Sequence, residues 1–282
     1  MIMNLVLQGP QASLDTLDRL ARLAKPARTV PLGEHALRCE EVSFDADAKA
    51  RVEQAAFDAG VDACFIEAGR TLADFGLVAM DMDSTLITIE CIDEIADMQG
   101  LKPQVAEITE AAMRGELDFA ASLTRRVALL EGLDASSLQR VYDERLRISP
   151  GGEAMLAAVQ AAGLRTLLVS GGFTFFTDRL KDRLKLDFTH ANVLEVADGK
   201  LTGRVVGGIV DAEEKKRTVE RVCAELGIPP SRAIVMGDGA NDLRMMGVAG
   251  LSLAFRAKPV VRAQASVALN YSGLDGLLNI IS

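Results

Sequence analysis

The residues best suited to catalysis directly follow short apolar runs. Asp81 and Asp83 come after the run Leu77–Met80, and Asp238 and Asp242 come after a second such run. Because open α/β sheets bind ligands at the carboxyl ends of their strands, we expect these carboxylates to share one site. Close carboxylates repel one another and require a cation or a shared proton. An all-oxygen donor set with room for water suits Mg²⁺, so the sequence predicts a magnesium site.

A second group of residues offers donors and positive charge. Ser170 and Gly171 end another strand-like run, and Lys215 lies near the start of a predicted helix. A Ser-Gly-Gly turn at a helix start presents a hydroxyl and backbone N–H groups to anionic oxygens. Together with the carboxylates these residues predict a phosphoryl-transfer site, where catalysis is mostly alignment and charge neutralisation. Taken singly, each motif is an ordinary surface turn, and the alternative for residues 237–242 is a calcium loop.

The elements that must position these residues follow from the hydrophobic patterns. From Phe75 onward strands alternate with helices, which predicts βαβ units and a parallel sheet. Residues 88–146 show only helical patterns and form an insertion after the first strand of that sheet. Residues 1–72 follow a β-α-β-α-β order and resemble ACT and ferredoxin-like modules in that order alone. Packing, homodimerisation and amino-acid sensing all remain open for this N-terminal α+β unit.

Composition excludes several classes of protein. The 282 residues are 49% hydrophobic and 25% charged, with a net charge of −9, which argues against disorder and against nucleic acid or anionic membranes as partners. The longest apolar runs are strand-sized, so no membrane span is predicted. The four cysteines are far apart and form no C-x-x-C pair, which favours free thiols in a reducing cytoplasm.

The motifs resemble those of the haloacid dehalogenase (HAD) superfamily. Asp81-Met82-Asp83-Ser84-Thr85 is similar to its first motif, Asp-x-Asp-x-Thr, while Ser170, Lys215 and the run 237–242 resemble its second, third and fourth motifs. The runs DMDSTLITIECIDEIA, VSGGFTFF and MGDGANDLRMM are similar to the phosphoserine phosphatase family of that superfamily, over roughly residues 75–280.

This resemblance implies a fold, a domain organisation and a reaction. The fold class is α/β, a HAD-like Rossmannoid parallel sheet with a helical cap insertion, preceded by a small ACT-like α+β domain. The implied domains are 1–72 for the N-terminal unit, 73–87 with 147–282 for the catalytic core, and 88–146 for the cap. The implied reaction is Mg²⁺-dependent hydrolysis of O-phospho-L-serine through a phosphoaspartyl intermediate, the last step of serine biosynthesis, in the cytoplasm.

The resemblance also implies roles for the motif residues. Asp81 is the expected nucleophile, and Asp83 is the expected acid for the leaving oxygen and base for the attacking water. Mg²⁺ is expected on Asp81, the backbone carbonyl of Asp83 and Asp238, with Asp242 as a supporting carboxylate. The residues expected to hold or orient the phosphoryl group are Ser170, Gly171, Lys215 and Asn241.

The cap is expected to read the amino-acid end of the substrate. The resemblance assigns the substrate ammonium to Glu90, the carboxylate to Arg126, and apolar contacts to Met113 and Phe119. An arginine fork suits a carboxylate, although Arg125 is a rival for that role. The alternatives are a helix-terminal charge for Glu90 and simple core packing for the two apolar residues.

Two further functions compete with this reading. The same chemistry would serve a phosphotransferase that passes the phosphoryl group to another hydroxyl, such as that of homoserine, or a phosphatase for another small phosphomonoester. An amino-acid sensor built on residues 1–72 is the non-enzymatic alternative, either alone or as an added role. The predicted partner is a small molecule, and a homodimer through the N-terminal unit is a further hypothesis.

Overall fold

The computed structural model describes residues 2–42 and 45–281, except for the side chain of Met113. Two sheets organise the chain, an N-terminal one of four strands and a second one of seven. The elements of the N-terminal unit are β1 (Met3–Gln8), α1 (Leu14–Ala24), β2 (Arg28–Pro31), β3 (Ala36–Val42), α2 (Ala46–Asp58) and β4 (Asp62–Glu67). Its sheet has the order β2-β3-β1-β4, and every pairing is antiparallel.

The N-terminal unit has one strand more than the sequence patterns predict. Strand β2 pairs with β3, but it is only four residues long and mostly exposed, so it carries no alternating apolar signal. The other elements match their predicted positions. Ser13 caps α1 by accepting the backbone N–H of Thr16, and Gly60 adopts a positive φ of 70° after α2. The predicted end of β3 at Ser43 lies outside the described residues.

The remaining elements build the seven-stranded sheet and the helices around it. In chain order they are β5 (Leu77–Met80), α3 (Cys91–Met98), α4 (Lys102–Met113), α5 (Phe119–Ala128), α6 (Ser136–Glu144), α7 (Gly152–Ala161), β6 (Arg165–Phe173), α8 (Thr174–Leu184), β7 (Phe188–Ala197), β8 (Lys200–Val206), α9 (Ala212–Glu225), β9 (Ala233–Gly237), α10 (Leu243–Met246), β10 (Leu251–Phe255), α11 (Pro259–Arg262), β11 (Val267–Leu269) and α12 (Gly276–Ile280).

The larger sheet is parallel except at one edge. Its order is β11-β10-β9-β5-β6-β7-β8, and only the β7–β8 pair is antiparallel. Every residue of β5 is fully buried, as expected for a central strand covered on both faces. Asp198 and Gly199 join β7 to β8 with positive φ values of 50° and 75°, which confirms the turn that this dipeptide predicts.

Helices α3 to α6 lie between β5 and β6 and form the predicted helical insertion. Backbone hydrogen bonds tie the insertion to the β7–β8 hairpin: Gly132 N–H donates to Leu201 O and Leu201 N–H donates to Leu133 O, both at 2.8 Å. Gly203 lies against α5, where an added Cβ would meet Ala128 O at 3.2 Å. The hairpin therefore supports the far side of the insertion.

A buried carboxylate joins the N-terminal unit to the end of the chain. Asp62, the first residue of β4, accepts backbone N–H groups of Asn270, Tyr271 and Ser272 at 2.6 to 3.3 Å. Three aligned donors satisfy a carboxylate that burial would otherwise penalise. Among the described residues, no helix is long and apolar enough to cross a membrane.

Candidate active site

The loop after β5 brings two carboxylates to the carboxyl edge of the sheet. Asp81 N–H donates to Met236 O on the neighbouring strand β9, and the Asp81 carboxylate accepts the backbone N–H of Met82 at 2.7 Å. Asp83 has extended backbone angles (φ −64°, ψ 135°) and lines the same cavity as Asp81, and the chain then turns at Ser84, whose φ is 55°.

Lys215 lies at the centre of the site and is fully buried. Its Nζ is 2.8 Å from Oδ1 of Asp81 and 2.8 Å from Oδ1 of Asp242. Burial alone would lower the pKa of Lys215, but the charges of Asp242 and Asp81 outweigh that effect and raise it. Burial and the charge of Asp242 raise the pKa of Asp81, against the opposing effect of Lys215. The two carboxylates therefore favour the charged form of Lys215.

The loop after β9 closes around Asp242. The Oδ2 atom of Asp242 accepts the backbone N–H groups of Asp238 and Gly239, at 3.2 and 3.0 Å. Gly237 has no space for a side chain, since an added Cβ would lie 2.3 Å from that same oxygen. Asp242 is thus held by Lys215 on one oxygen and by the loop backbone on the other.

Three carboxylates form a cluster that fits a cation. Ligand atoms of Asp81, Asp238 and Asp242 all lie within 4.8 Å of one another. Burial raises the pKa of Asp238 to about 6, and the nearby charges of Asp242 and Glu90 act in the same direction. This crowding of negative charge favours a bound metal ion, which would stabilise the ionised forms. The all-oxygen donors suit a hard divalent cation.

The end of β6 forms the wall opposite the carboxylates. The Ser170 hydroxyl accepts the backbone N–H of Gly172 at 2.8 Å. An added Cβ on Gly171 would lie 2.8 Å from the ring of Phe119, and one on Gly172 would lie 3.0 Å from the Asp83 carboxylate. The strand continues to Phe173, so the Ser-Gly-Gly segment is the end of a strand with irregular register and not the predicted start of a helix.

A cavity of about 520 Å³ opens between this edge of the sheet and the helical insertion. Glu90 lines it and accepts the Ser84 hydroxyl at 2.7 Å. Arg126 and Phe119 line it from α5, whereas Arg125 is exposed and is not among the described lining residues. Of the two neighbouring arginines on α5, Arg126 is therefore the one that faces the cavity. The side chain of Met113 lies outside the described residues.

The structure brings together all the predicted site residues that it describes. Those lining the cavity are Asp81, Asp83, Glu90, Phe119, Arg126, Ser170, Gly171, Asp238 and Asn241. Lys215 and Asp242 lie beneath it, joined to Asp81 and to the Asp238 loop.

Sequence reasoning missed Lys258 as a site residue. Lys258 lines the cavity just after β10, and its backbone N–H donates to Asp238 O at 3.2 Å. Its charge opposes the rise in pKa that burial produces at Glu90 and at Asp238. Ligands bind at the carboxyl ends of parallel strands, and β10 is such a strand. Lys258 could therefore have been identified by the same argument as the carboxylates.

Residues 78–247, more than half of the chain, match the model of the haloacid dehalogenase-like hydrolase family. The fold agrees with this match, since a mostly parallel sheet carries a carboxylate-rich edge under a helical insertion. The chain therefore belongs to the haloacid dehalogenase-like hydrolase family.

Several named proteins are similar to this chain in sequence or in structure. A phosphoserine phosphatase of Polaromonas sp. is 59% identical over 215 residues, which cover 74% of this chain and 91% of the relative. A HAD family hydrolase from Salmonella enterica subsp. enterica serovar Typhi superposes with a TM-score of 0.90 at 33% identity, covering 100% of this chain and 99% of that one. A substrate-bound phosphoserine phosphatase superposes with a TM-score of 0.69 at 36% identity, over 74% of this chain and 99% of that one.

Proposed function

We propose that this chain is a metal-dependent phosphoserine phosphatase, which hydrolyses O-phospho-L-serine to L-serine and phosphate. The observation that carries the proposal is one cavity with two chemically different ends. Asp81, Asp83 and Ser170 line it from the carboxyl edge of the sheet, and Glu90 and Arg126 line it from the helical insertion. The similarity to phosphoserine phosphatases over nearly the whole length of a relative supports the same activity.

The two ends match the two ends of the proposed substrate. At the sheet, Ser170, the backbone of Gly171 and Lys215 provide donors for phosphoryl oxygens. At the helical insertion, a carboxylate and a guanidinium face a substrate that carries an ammonium and a carboxylate. Glu90 pairs with the ammonium, and the planar fork of Arg126 pairs with the carboxylate. A cavity of about 520 Å³ accommodates a molecule of this size.

Asp81 is the proposed nucleophile. One of its carboxylate oxygens attacks phosphorus, the bond from phosphorus to the serine oxygen breaks, and a phosphoaspartyl intermediate forms. Asp83 gives its proton to the departing serine oxygen and then takes a proton from the water that attacks the intermediate. Burial raises the pKa of Asp83 to about 7, with a further contribution from Glu90, so this carboxyl can both hold and release a proton near neutral pH.

The carboxylate cluster is the proposed site of Mg²⁺. Asp81, Asp238 and the backbone carbonyl of Asp83 would hold the ion, with Asp242 as support. When bound, Mg²⁺ supplies a positive charge that neutralises the phosphate and the carboxylates. Lys215 keeps Asp81 and Asp242 in place through its two contacts of 2.8 Å.

Phosphate release from O-phospho-L-serine in the presence of Mg²⁺ tests the proposal directly. Asp81→Asn should lower the rate by about 10⁴-fold or more while leaving the circular dichroism spectrum and Tm unchanged. Asp178→Asn, on the exposed face of α8, is the matched control and should keep full activity. A folded, metal-loaded parent protein that releases no phosphate would refute the proposal.

Product analysis separates hydrolysis from phosphoryl transfer. With homoserine added as an acceptor, a phosphatase yields serine and inorganic phosphate in equal amounts. Formation of phosphohomoserine in place of inorganic phosphate would identify the phosphotransferase alternative. A screen of other small phosphomonoesters would identify a phosphatase with a different substrate.

For the N-terminal unit, a homodimer and an amino-acid-sensing role both stay predictions. Strand β2 is an edge of its sheet and carries the ion pair Arg28–Glu40 at 2.7 Å beside β3. Light scattering of the full chain tests the dimer, and serine titration of its activity tests sensing. The four cysteines are free and buried, which supports the cytoplasmic location inferred from their spacing.

A further inference from the structure

Two buried polar atoms near the cavity have no hydrogen-bond partner. They are Oδ1 of Asp93 and Nε of Arg126. Such atoms are uncommon, because each forfeits its interaction with water without gaining another. The two atoms are complementary, one a carboxylate acceptor and the other an N–H donor. Among the described residues, no ion pair within 4.0 Å joins their side chains.

The surroundings of Arg126 identify Asp93 as its strongest anionic neighbour. Burial lowers the pKa of Arg126, and the charges of Asp93, Glu90 and Asp83 oppose that effect in this order of size. Burial likewise raises the pKa of Asp93, and the charge of Arg126 is the largest opposing influence, followed by that of Lys102. One carboxylate oxygen of Glu90 already accepts a hydrogen bond from the hydroxyl of Ser84. Oδ1 of Asp93, in contrast, accepts no hydrogen bond.

The shape of the guanidinium group explains how Asp93 could orient Arg126. An arginine side chain has one Nε–H on its flank and two terminal nitrogens, which together make a fork that fits a carboxylate. We propose that Asp93 is a positioning residue: when substrate is bound, its Oδ1 accepts the Nε–H of Arg126, so that the terminal fork is held toward the substrate carboxylate. This inference rests on the proposed function, because it assigns the fork of Arg126 to phosphoserine.

Asp93 makes no contact with the phosphoryl end in this scheme. Removing its carboxylate should therefore weaken recognition of the substrate carboxylate and leave other phosphate esters unaffected. O-phosphoethanolamine is the matched probe, since it keeps the phosphate and the ammonium and lacks only the carboxylate. p-Nitrophenyl phosphate serves as a second ester without a carboxylate. The informative quantity is the ratio of kcat/KM for phosphoserine to kcat/KM for these probes.

Asp93→Ala should lower that ratio about tenfold, mainly through a higher KM for phosphoserine, as expected for loss of a hydrogen bond to a charged group. Asp93→Asn keeps an acceptor oxygen and should recover most of the ratio. Glu94→Ala is the control, because Glu94 lies in the same first turn of α3 but pairs with Arg145 at 3.2 Å. It should leave the ratio unchanged.

Arg126→Ala completes the design. It should lower the ratio further than Asp93→Ala does, and adding Asp93→Ala to it should cause no additional change. If Arg126→Ala lowers the ratio and Asp93→Ala does not, the positioning role is wrong while the proposed function stands. If Arg126→Ala leaves the ratio unchanged, the assignment of the substrate carboxylate to Arg126 fails instead. An equal loss on all esters with a lower Tm in both Asp93 variants would also overturn the positioning role.

Discussion

The ammonium group of Lys215 lies 2.8 Å from Oδ1 of Asp242, with neither side chain more than 1% exposed. The second contact of Lys215, to Asp81, extends this buried pair into a chain that links α9 with the loops after β5 and β9. A buried ion pair adds little when compared with an apolar replacement, but removing one member leaves an uncompensated charge. Removing Lys215 would therefore leave two buried carboxylates without their shared cation.

Lys215→Met should destabilise the protein by about 3–5 kcal/mol, because Asp81 and Asp242 would lose their buried cation. Urea denaturation without added metal measures this directly. Lys216→Met, at the next position on α9, is the control, since the Lys216 side chain is partly exposed and pairs with Glu220 at the longer distance of 3.8 Å. Equal midpoints for the two variants would show that Lys215 does not hold the carboxylates together.

Gly237→Ala should disrupt the active site through Asp242. Its Cβ would lie 2.3 Å from Oδ2 of Asp242, so the loop must shift and release the N–H groups that this oxygen accepts. We expect a loss of about 1–3 kcal/mol in stability, together with a large fall in kcat. Gly208→Ala, where an added Cβ has no neighbour within 4 Å, should change neither property.

Mg²⁺ should stabilise the folded protein as well as activate it. Binding to the native state alone adds about 2.7 kcal/mol at a concentration of one hundred times Kd. We therefore expect EDTA to abolish phosphate release and to lower Tm, and added Mg²⁺ to restore both. Asp238→Asn should lose the Mg²⁺-dependent rise in Tm. If Mg²⁺ does not change the Tm of the parent protein, the proposed Mg²⁺ site is wrong.

Lys258 should attract and hold the anionic substrate at the mouth of the cavity. It is exposed and lies near Glu90 and Asp238, so its removal leaves the cavity more negative. Lys258→Gln should raise KM for phosphoserine several-fold with little change in kcat, and the difference from the parent should shrink at high ionic strength. Lys49→Gln, on the N-terminal unit, should leave KM unchanged. A Lys258 variant with the parent KM at low salt would remove this role.

The cysteine thiols should resist thiol reagents in the folded protein. Burial raises the pKa of all four, that of Cys39 to about 12, so the reactive thiolate is scarce at pH 8. In the unfolded chain the pKa falls back to about 8.5, and all four thiols should then react. A dithionitrobenzoate titration should count fewer than one thiol in buffer and four in urea. Rapid reaction of native thiols would contradict the described burial.

The local patterns of the chain were sufficient for the elements of the site. Residues at the carboxyl ends of β5, β6 and β9 were identified because a buried parallel strand is a continuous apolar run that ends abruptly in polar residues. The turn at Asp198–Gly199 and the cap of α1 at Ser13 could likewise be predicted from the sequence, since both depend on residues close together in the chain. These features follow from backbone preferences and from burial within one element.

Features that depend on contacts between distant segments needed the tertiary structure. Strand β2 is too short and too exposed to carry an apolar pattern, and it exists only because β3 pairs with it. The sequence could not separate Arg126 from Arg125, because only the packing of α5 decides which side chain faces the cavity. The sequence by itself determined which chemical groups this protein carries and on which elements, since propensity and burial act locally. Only the folded chain decided which of those groups meet, because such contacts join segments far apart in sequence.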